Sequence, residues 1–191
     1  MKNKNLLLLF FLSLFLINSQ CKKHKPIDPL SQLPPETQTG ANTFGCLVNG
    51  QAFVPKGPSL GPILSSYYQQ IYSGPDGYVF QVAAYDKSHG DDRYSILLLG
   101  DSLKIIGPQT IYIKGKIKGN TSGAYYTSKF NGTIFINNDY FSTDLTGGEL
   151  IIKKFDEINQ IASGTFWFNA LGNSGDTVKI TNGRFDVRFT K

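Results

Sequence analysis

Val178-Lys179-Ile180-Thr181-Asn182-Gly183-Arg184-Phe185-Asp186-Val187-Arg188-Phe189 is the stretch that decides the fold class. Val178 and Ile180, then Phe185, Val187 and Phe189, alternate with Lys179, Thr181, Arg184, Asp186 and Arg188. A period of two places one set on each face of a strand, which suits a half-buried sheet and excludes an amphipathic helix. Asn182-Gly183, within this stretch, reads as a turn between two strands.

Upstream, the same pattern recurs. Strand runs occupy 78–85, 93–99, 110–114, 132–137, 149–153 and 162–170, the last containing Phe166-Trp167-Phe168. Asn49-Gly50, Pro75-Asp76-Gly77, Gly147-Gly148 and Gly172-Asn173-Ser174-Gly175 separate or flank such runs as turns. Asp156 to Asn159 reads as a further turn. No stretch keeps a helical period over eleven residues. These features predict an all-β domain over residues 42–191, a single antiparallel β-sandwich or barrel of about 8–10 strands. Gly132 to Asn137 echoes Gly164 to Asn169, a possible repeated hairpin unit to which short β-typical motifs lend little weight.

The N-terminal part reads differently. Lys2 and Lys4 precede an apolar run from Leu6 to Ile17, too short to span the ~30 Å of a bilayer core but suited to the h-region of a secretory signal. Asn18-Ser19-Gln20-Cys21 follows. This resembles a bacterial lipoprotein signal, with residues 1–20 removed and Cys21 the acylated, palmitate-bearing residue; Gln20 stands where that signal usually has a small residue. Residues 21–41 carry Lys22-Lys23-His24-Lys25 and four of the nine prolines, and read as the acylated Cys and a Pro-rich tether. The lysines beside Cys21 could touch anionic headgroups, although ordinary solvated charge is the simpler reading.

Three stretches carry a second resemblance: Thr146-Gly147-Gly148-Glu149-Leu150, Ala162 to Phe168, and Gly175 to Phe185. With Asn49-Gly50-Gln51-Ala52-Phe53, they are similar to a domain of unknown function found in lipoproteins of Bacteroidota-type bacteria. That resemblance covers about residues 43–190, implies an all-β envelope protein and supplies no catalytic residue.

Composition narrows the chemistry. Two Cys and two His in 191 residues exclude a His-rich metal cage, a zinc ribbon and a disulfide framework. Gly100-Asp101-Ser102-Leu103 has the letters of a GDSL-type esterase nucleophile block. That chemistry needs a downstream His, and none follows His89. Asp86, His89, Asp91 and Asp92 are the candidates for a metal site, but they lack the spacing of a cation loop, and no metal or cofactor is expected. Glu149, Asp156 and Glu157 are the acids a glycan hydrolase would draw on. Cys46 lies in an early apolar strand and reads as a small buried hydrophobe.

The net charge of +5, from 19 cationic and 14 acidic residues, falls to +3 without Lys2 and Lys4, because 17 cations then remain. No basic stripe survives, so no nucleic-acid partner is expected. Ten Tyr include the neighbours Tyr67, Tyr68 and Tyr72, and Tyr125 with Tyr126, a candidate ligand strip for sugars, apolar molecules or proteins. The sequence therefore predicts a non-enzymatic, lipid-anchored binding or accessory module of the cell envelope. It would be an outer-membrane lipoprotein facing the periplasm, with an unknown protein or glycan ligand. The alternatives are a small-ligand carrier with a lipocalin-like barrel and an envelope glycan hydrolase.

Overall fold

The computed structural model describes residues 27–58, 61–74, 77–115 and 120–191. Eleven strands run through them: β1 (Thr43–Val48), β2 (Gln51–Phe53), β3 (Leu64–Gln70), β4 (Tyr78–His89), β5 (Asp92–Asp101), β6 (Gln109–Lys114), β7 (Thr121–Phe130), β8 (Phe135–Phe141), β9 (Gly148–Asp156), β10 (Ile161–Gly172) and β11 (Thr177–Arg188). The one helical element among the described residues is a 3-10 turn, Pro29–Gln32, capped by Asp28, which accepts the Leu30 N–H at 3.1 Å. No helix among these residues is long and apolar enough to cross a membrane. The class is all-β, as the period-two patterning requires.

Three details depart from the expectation. The strands number eleven rather than 8–10. The additional ones include β2, only three residues long, and β3, whose Leu-Ser-Ser-Tyr-Tyr-Gln-Gln run carries little apolar alternation. The sheet is mixed rather than purely antiparallel, because β6 pairs parallel with β7 through Ile113↔Thr121 and Lys114↔Ser122. Asn182-Gly183 is not a turn between strands but a β-bulge inside β11. Phe166 faces Gly183 and Phe168 faces Ile180, so Thr181 and Asn182 together oppose Trp167. Asn182 takes φ 53°, a left-handed conformation Asn tolerates. One extra residue shifts the alternation by one, which is why the sequence changes phase there. Asn49 and Gly50, with φ 49° and 82°, do form a two-residue hairpin, the twist-matched turn for joining β1 to β2. The echo between 132–137 and 164–169 is not a repeated unit, since Gly132 lies in a turn and β8 starts only at Phe135.

The strand order is β2-β1-β11-β10-β9-β6-β7-β5-β4-β3, with β8 hairpinned onto β7 and touching β10. The sheet then closes on itself through β11, which changes partner along its length. Up to Asp186 it pairs with β1. Beyond it, Thr190 bridges Tyr67 of β3, with Tyr68 N donating to Thr190 O at 2.8 Å and Thr190 N to Ser66 O at 3.1 Å. A second arm leaves β2 and reaches β4, where Lys56 and Asp86 bridge and Lys87 N donates to Lys56 O at 2.7 Å. Of the two expected architectures, the chain adopts the barrel, which removes most free edges.

Side chains fill the barrel. Phe44, Phe80, Val82, Ile96, Leu98, Ile113, Leu150, Ile152, Phe168, Ile180 and Val187 lie in one buried cluster drawn from across the sheet. Rings meet across it: Phe44 and Phe166 at 5.3 Å, Phe80 and Phe185 at 6.3 Å, and Tyr68 against Phe155 at 4.9 Å. Cys46 is wholly buried in this core, as its apolar neighbours suggested, and burial pushes its thiol pKa far up.

The segment expected as an extended tether belongs, from Leu33 onward, to the folded body. Leu33 is buried. Asp186, a buried carboxylate on β11, accepts the Thr37 hydroxyl at 2.6 Å and the backbone N–H groups of Thr39, Gly40 and Ala41 at 2.9, 2.8 and 3.1 Å. Proline removed backbone donors from this strap, as its composition implied, but the Thr and Gly that follow supply donors enough to bind a carboxylate. Residues 1–26, including Cys21 and the Lys22–Lys25 cluster, lie outside the described residues.

Candidate functional site

The two arms that close the barrel leave a gap between them. The start of β1 and the chain after Phe53 form one wall; Gly61 to Tyr67 and the end of β11 form the other. The resulting cleft measures about 860 Å³, within the range of small-molecule sites. Phe44, Val54, Pro55, Ile63 and Leu64 make its surface largely apolar. Ser65, Tyr67, Arg188 and Thr190 also line it; the Arg188 guanidinium donates to Asn159 O at 3.4 Å. The site exists because β11 pairs with β1 from Ile180 to Asp186, whereas the chain just past its end bridges β3 at Thr190, so β1 and β3 diverge. None of its apolar walls was singled out from the sequence; only the Tyr67 position was.

The tyrosine strip does not form. Adjacent strand residues face opposite sides, so each pair splits. Tyr68 is buried, stacked on Tyr78 at 4.8 Å, and its hydroxyl oxygen accepts the Ile105 N–H at 3.0 Å. Tyr125 is likewise buried, beside Tyr140, and desolvation by burial drives its phenol pKa far above the usual range. Tyr67 points outward and donates to Gln81 Oε1 at 3.1 Å. Tyr126 points outward three strands away along the sheet, packed edge-on against Phe141. Tyr72 lies exposed past the end of β3.

Asp86, His89, Asp91 and Asp92 sit in and around the β4–β5 hairpin without converging on one point. Asp86 is buried and its oxygens are occupied: Oδ1 accepts the N–H and hydroxyl of Ser88 at 2.9 and 2.6 Å, and Oδ2 lies 3.1 Å from His89 Nε2 and 4.0 Å from Lys56 Nζ. Asp92 turns the other way, accepting the Phe130 N–H at 2.9 Å. Among the described residues no group of three or more His, Cys, Asp or Glu gathers as a metal site would need. Asp86 staples a hairpin instead.

Ser102 follows the end of β5, with φ 54° and its hydroxyl on Asp101 Oδ1 at 3.2 Å. His89 pairs with Asp92 at the opposite end of the same strand, roughly 30 Å away at ~3.3 Å per residue. The base that the esterase-like letters lacked in sequence is thus also out of reach in space.

The outer face holds a second arrangement that the sequence reading passed over. Trp167, Glu149 and Tyr112 are direct cross-strand neighbours on β10, β9 and β6. Trp167 is 45% exposed and Tyr112 64%. Beside Trp167 runs a groove of about 300 Å³ bounded by Glu36 of the strap, Glu149, Lys153, Asn182 and Arg184. The parity of β10 carried a signal for this: with Phe166 and Phe168 inward, Trp167 has to face out.

Residues 101–187, from the end of β5 nearly to the end of β11, match a family described as a domain of unknown function (DUF6252). No curated protein and no solved structure matches the chain. The matched residues contain the outer groove except for the strap, whereas every residue lining the seam cleft lies outside them.

Proposed function

We propose that this chain is a lipid-anchored β-barrel module of the bacterial cell envelope that binds a small amphiphile in the seam cleft and does not turn it over. One observation carries the binding half: a largely apolar cleft, which Ser65, Arg188 and Thr190 also line, opening between the two arms that close the barrel. An apolar body with a polar or anionic end fits that lining. The lumen is filled by aromatic and aliphatic side chains, so a lipocalin-like carrier holding its ligand inside is the poorer fit.

The anchoring half rests on the basic start, the short apolar run and Cys21, read together with the resemblance to Bacteroidota-type lipoproteins. The module would sit on the periplasmic face of the outer membrane. Three of the acids the hydrolase alternative would use are held by neighbours. Asp86 is occupied by Ser88, His89 and Lys56. Asp156 is held by the N–H and side-chain amide of Asn159 at 2.9 and 2.8 Å, and Glu157 pairs with Lys191 at 3.4 Å.

Titration of the purified protein with the anionic fluorophore anilinonaphthalene sulfonate tests the cleft. The reading predicts saturable binding that Ile63→Glu weakens by about tenfold or more, since a charge on the wall repels the probe and wets the surface. Equal binding by the variant, or no saturation in the wild type, would contradict it.

A further inference from the structure

We infer that the outer face of the barrel carries a second, separate site, centred on Trp167, that takes a neutral saccharide. Trp167 is the only tryptophan in the chain and stands in the interior of the sheet rather than at an edge. Burying its indole would have been favourable, yet nearly half of it faces solvent. Among the described residues no aromatic ring stacks on it and its indole N–H has no acceptor. Both its face and its donor are therefore available to a ligand.

The surroundings specify the ligand's chemistry. Two strands over, at about 10 Å given the ~4.8 Å spacing of neighbouring strands, Tyr112 offers a second exposed ring in the same cross-strand row. Glu149 stands between the two as an acceptor of hydroxyl protons. The groove adds Glu36 and Lys153, joined as an ion pair, then Asn182 and Arg184. Two carboxylates against two cations leave the lining neutral. A polyanion such as nucleic acid gains little from a neutral lining, and an apolar ligand would strand the charges. A sugar ring matches it, because it presents a C–H face for an indole and hydroxyls that both donate and accept.

The fold builds this groove rather than leaving it to chance. The bulge at Thr181 and Asn182 lies directly opposite Trp167 and aims Asn182 and Arg184 at its flank. Gly183 floors the groove: a Cβ there would lie 2.5 Å from the Phe166 ring, so the backbone sits low. The strap completes a wall, with Arg184 Nη1 donating to Pro34 O at 3.4 Å.

The lone tryptophan makes the test specific to the site. The emission of the full protein is followed during titration with cellohexaose, maltohexaose, mannohexaose and chitohexaose, and affinities are checked by calorimetry. The inference predicts that at least one oligosaccharide saturably changes the Trp167 emission. By calorimetry, Trp167→Ala and Tyr112→Ala should each weaken that binding by about tenfold or more, and Glu149→Gln by several-fold. Ile63→Glu, which disables the seam cleft, should leave it unchanged, so failure of one site is distinguishable from failure of the other. No response to any of the four sugars, or binding that survives Trp167→Ala with the fold intact by circular dichroism, would overturn the inference.

Discussion

Across 149 positions of sequence, the hydroxyl of Thr37 donates to the carboxylate of Asp186 at 2.6 Å. This contact, with the three backbone N–H groups beside it, turns a proline-rich segment into the outer strap of a barrel. Asp186→Ala should therefore release the strap before it unfolds the barrel. Loss of a buried, hydrogen-bonded carboxylate costs about 3 kcal/mol. Hydrogen exchange should show residues 37–41 opening in the variant, with β4 and β10 still protected; uniform loss of protection would contradict a local latch.

The same carboxylate sets an acid limit. Burial alone would raise the pKa of Asp186, but the hydrogen bonds from Thr37, Thr39, Ala41 and Gly40 outweigh that and hold it below the ordinary carboxylate range. A lowered folded pKa means the latch contributes fully above the unfolded value of about 3.9 and weakens as pH falls through the folded one. Strap protection should be flat from neutral to mildly alkaline pH and lost below about pH 4. Asp186→Asn should remove that acid step; its persistence in the variant would assign it elsewhere.

Gly183 and Gly50 should behave differently towards alanine. At Gly183 the new Cβ meets the Phe166 ring at 2.5 Å, an overpacking that costs about 1–3 kcal/mol. At Gly50 nothing lies within 4 Å, and only the positive φ of 82° is strained, at about 1 kcal/mol. Urea denaturation should rank Gly183→Ala as the less stable, and the reverse order would argue against the bulge geometry.

Cys46 should be silent. Its burial and raised pKa predict that, in a Cys21→Ser background, the native protein resists aromatic disulfide reagents while the unfolded chain reacts fully. Rapid native-state reaction would show that the core opens where the packing says it is closed.

The anchor makes its own prediction. Cells fed labelled palmitate should incorporate it into the wild-type protein and not into Cys21→Ser, and the variant should leave the membrane fraction. Label retained by the variant would remove Cys21 from its proposed role.

The fold was legible where one face is buried. Val178 to Phe189, Tyr78 to Tyr85 and Ala162 to Ala170 all show their alternation in the letters, and all form central strands of the barrel. β3 was not marked as a strand run, because its stability comes from pairing with β4 and Thr190 rather than from an apolar face of its own. The bulge at Asn182 was misread as a turn because both use a left-handed residue followed by Gly; only the register against Phe166 and Phe168 separates them. The strap escaped composition-based reading because its partner, Asp186, lies at the other end of the chain. The sites were less legible still. The cleft arises from β11 changing partners, a topological fact that no local motif encodes. Trp167 was within reach, since strand parity alone turned it outward, whereas Glu149 and Tyr112 become its neighbours only through cross-strand register.

The seam cleft is tested most directly by backbone chemical shifts during titration with a medium-chain fatty acid. The reading predicts perturbations confined to the two arms, at Thr43, Val54, Leu64 to Tyr67 and Thr190, with Val82, Leu98, Ile152 and Phe168 unmoved. Shifts centred on those four interior positions would place the ligand in the lumen and contradict it, as would the absence of any shift at the arms.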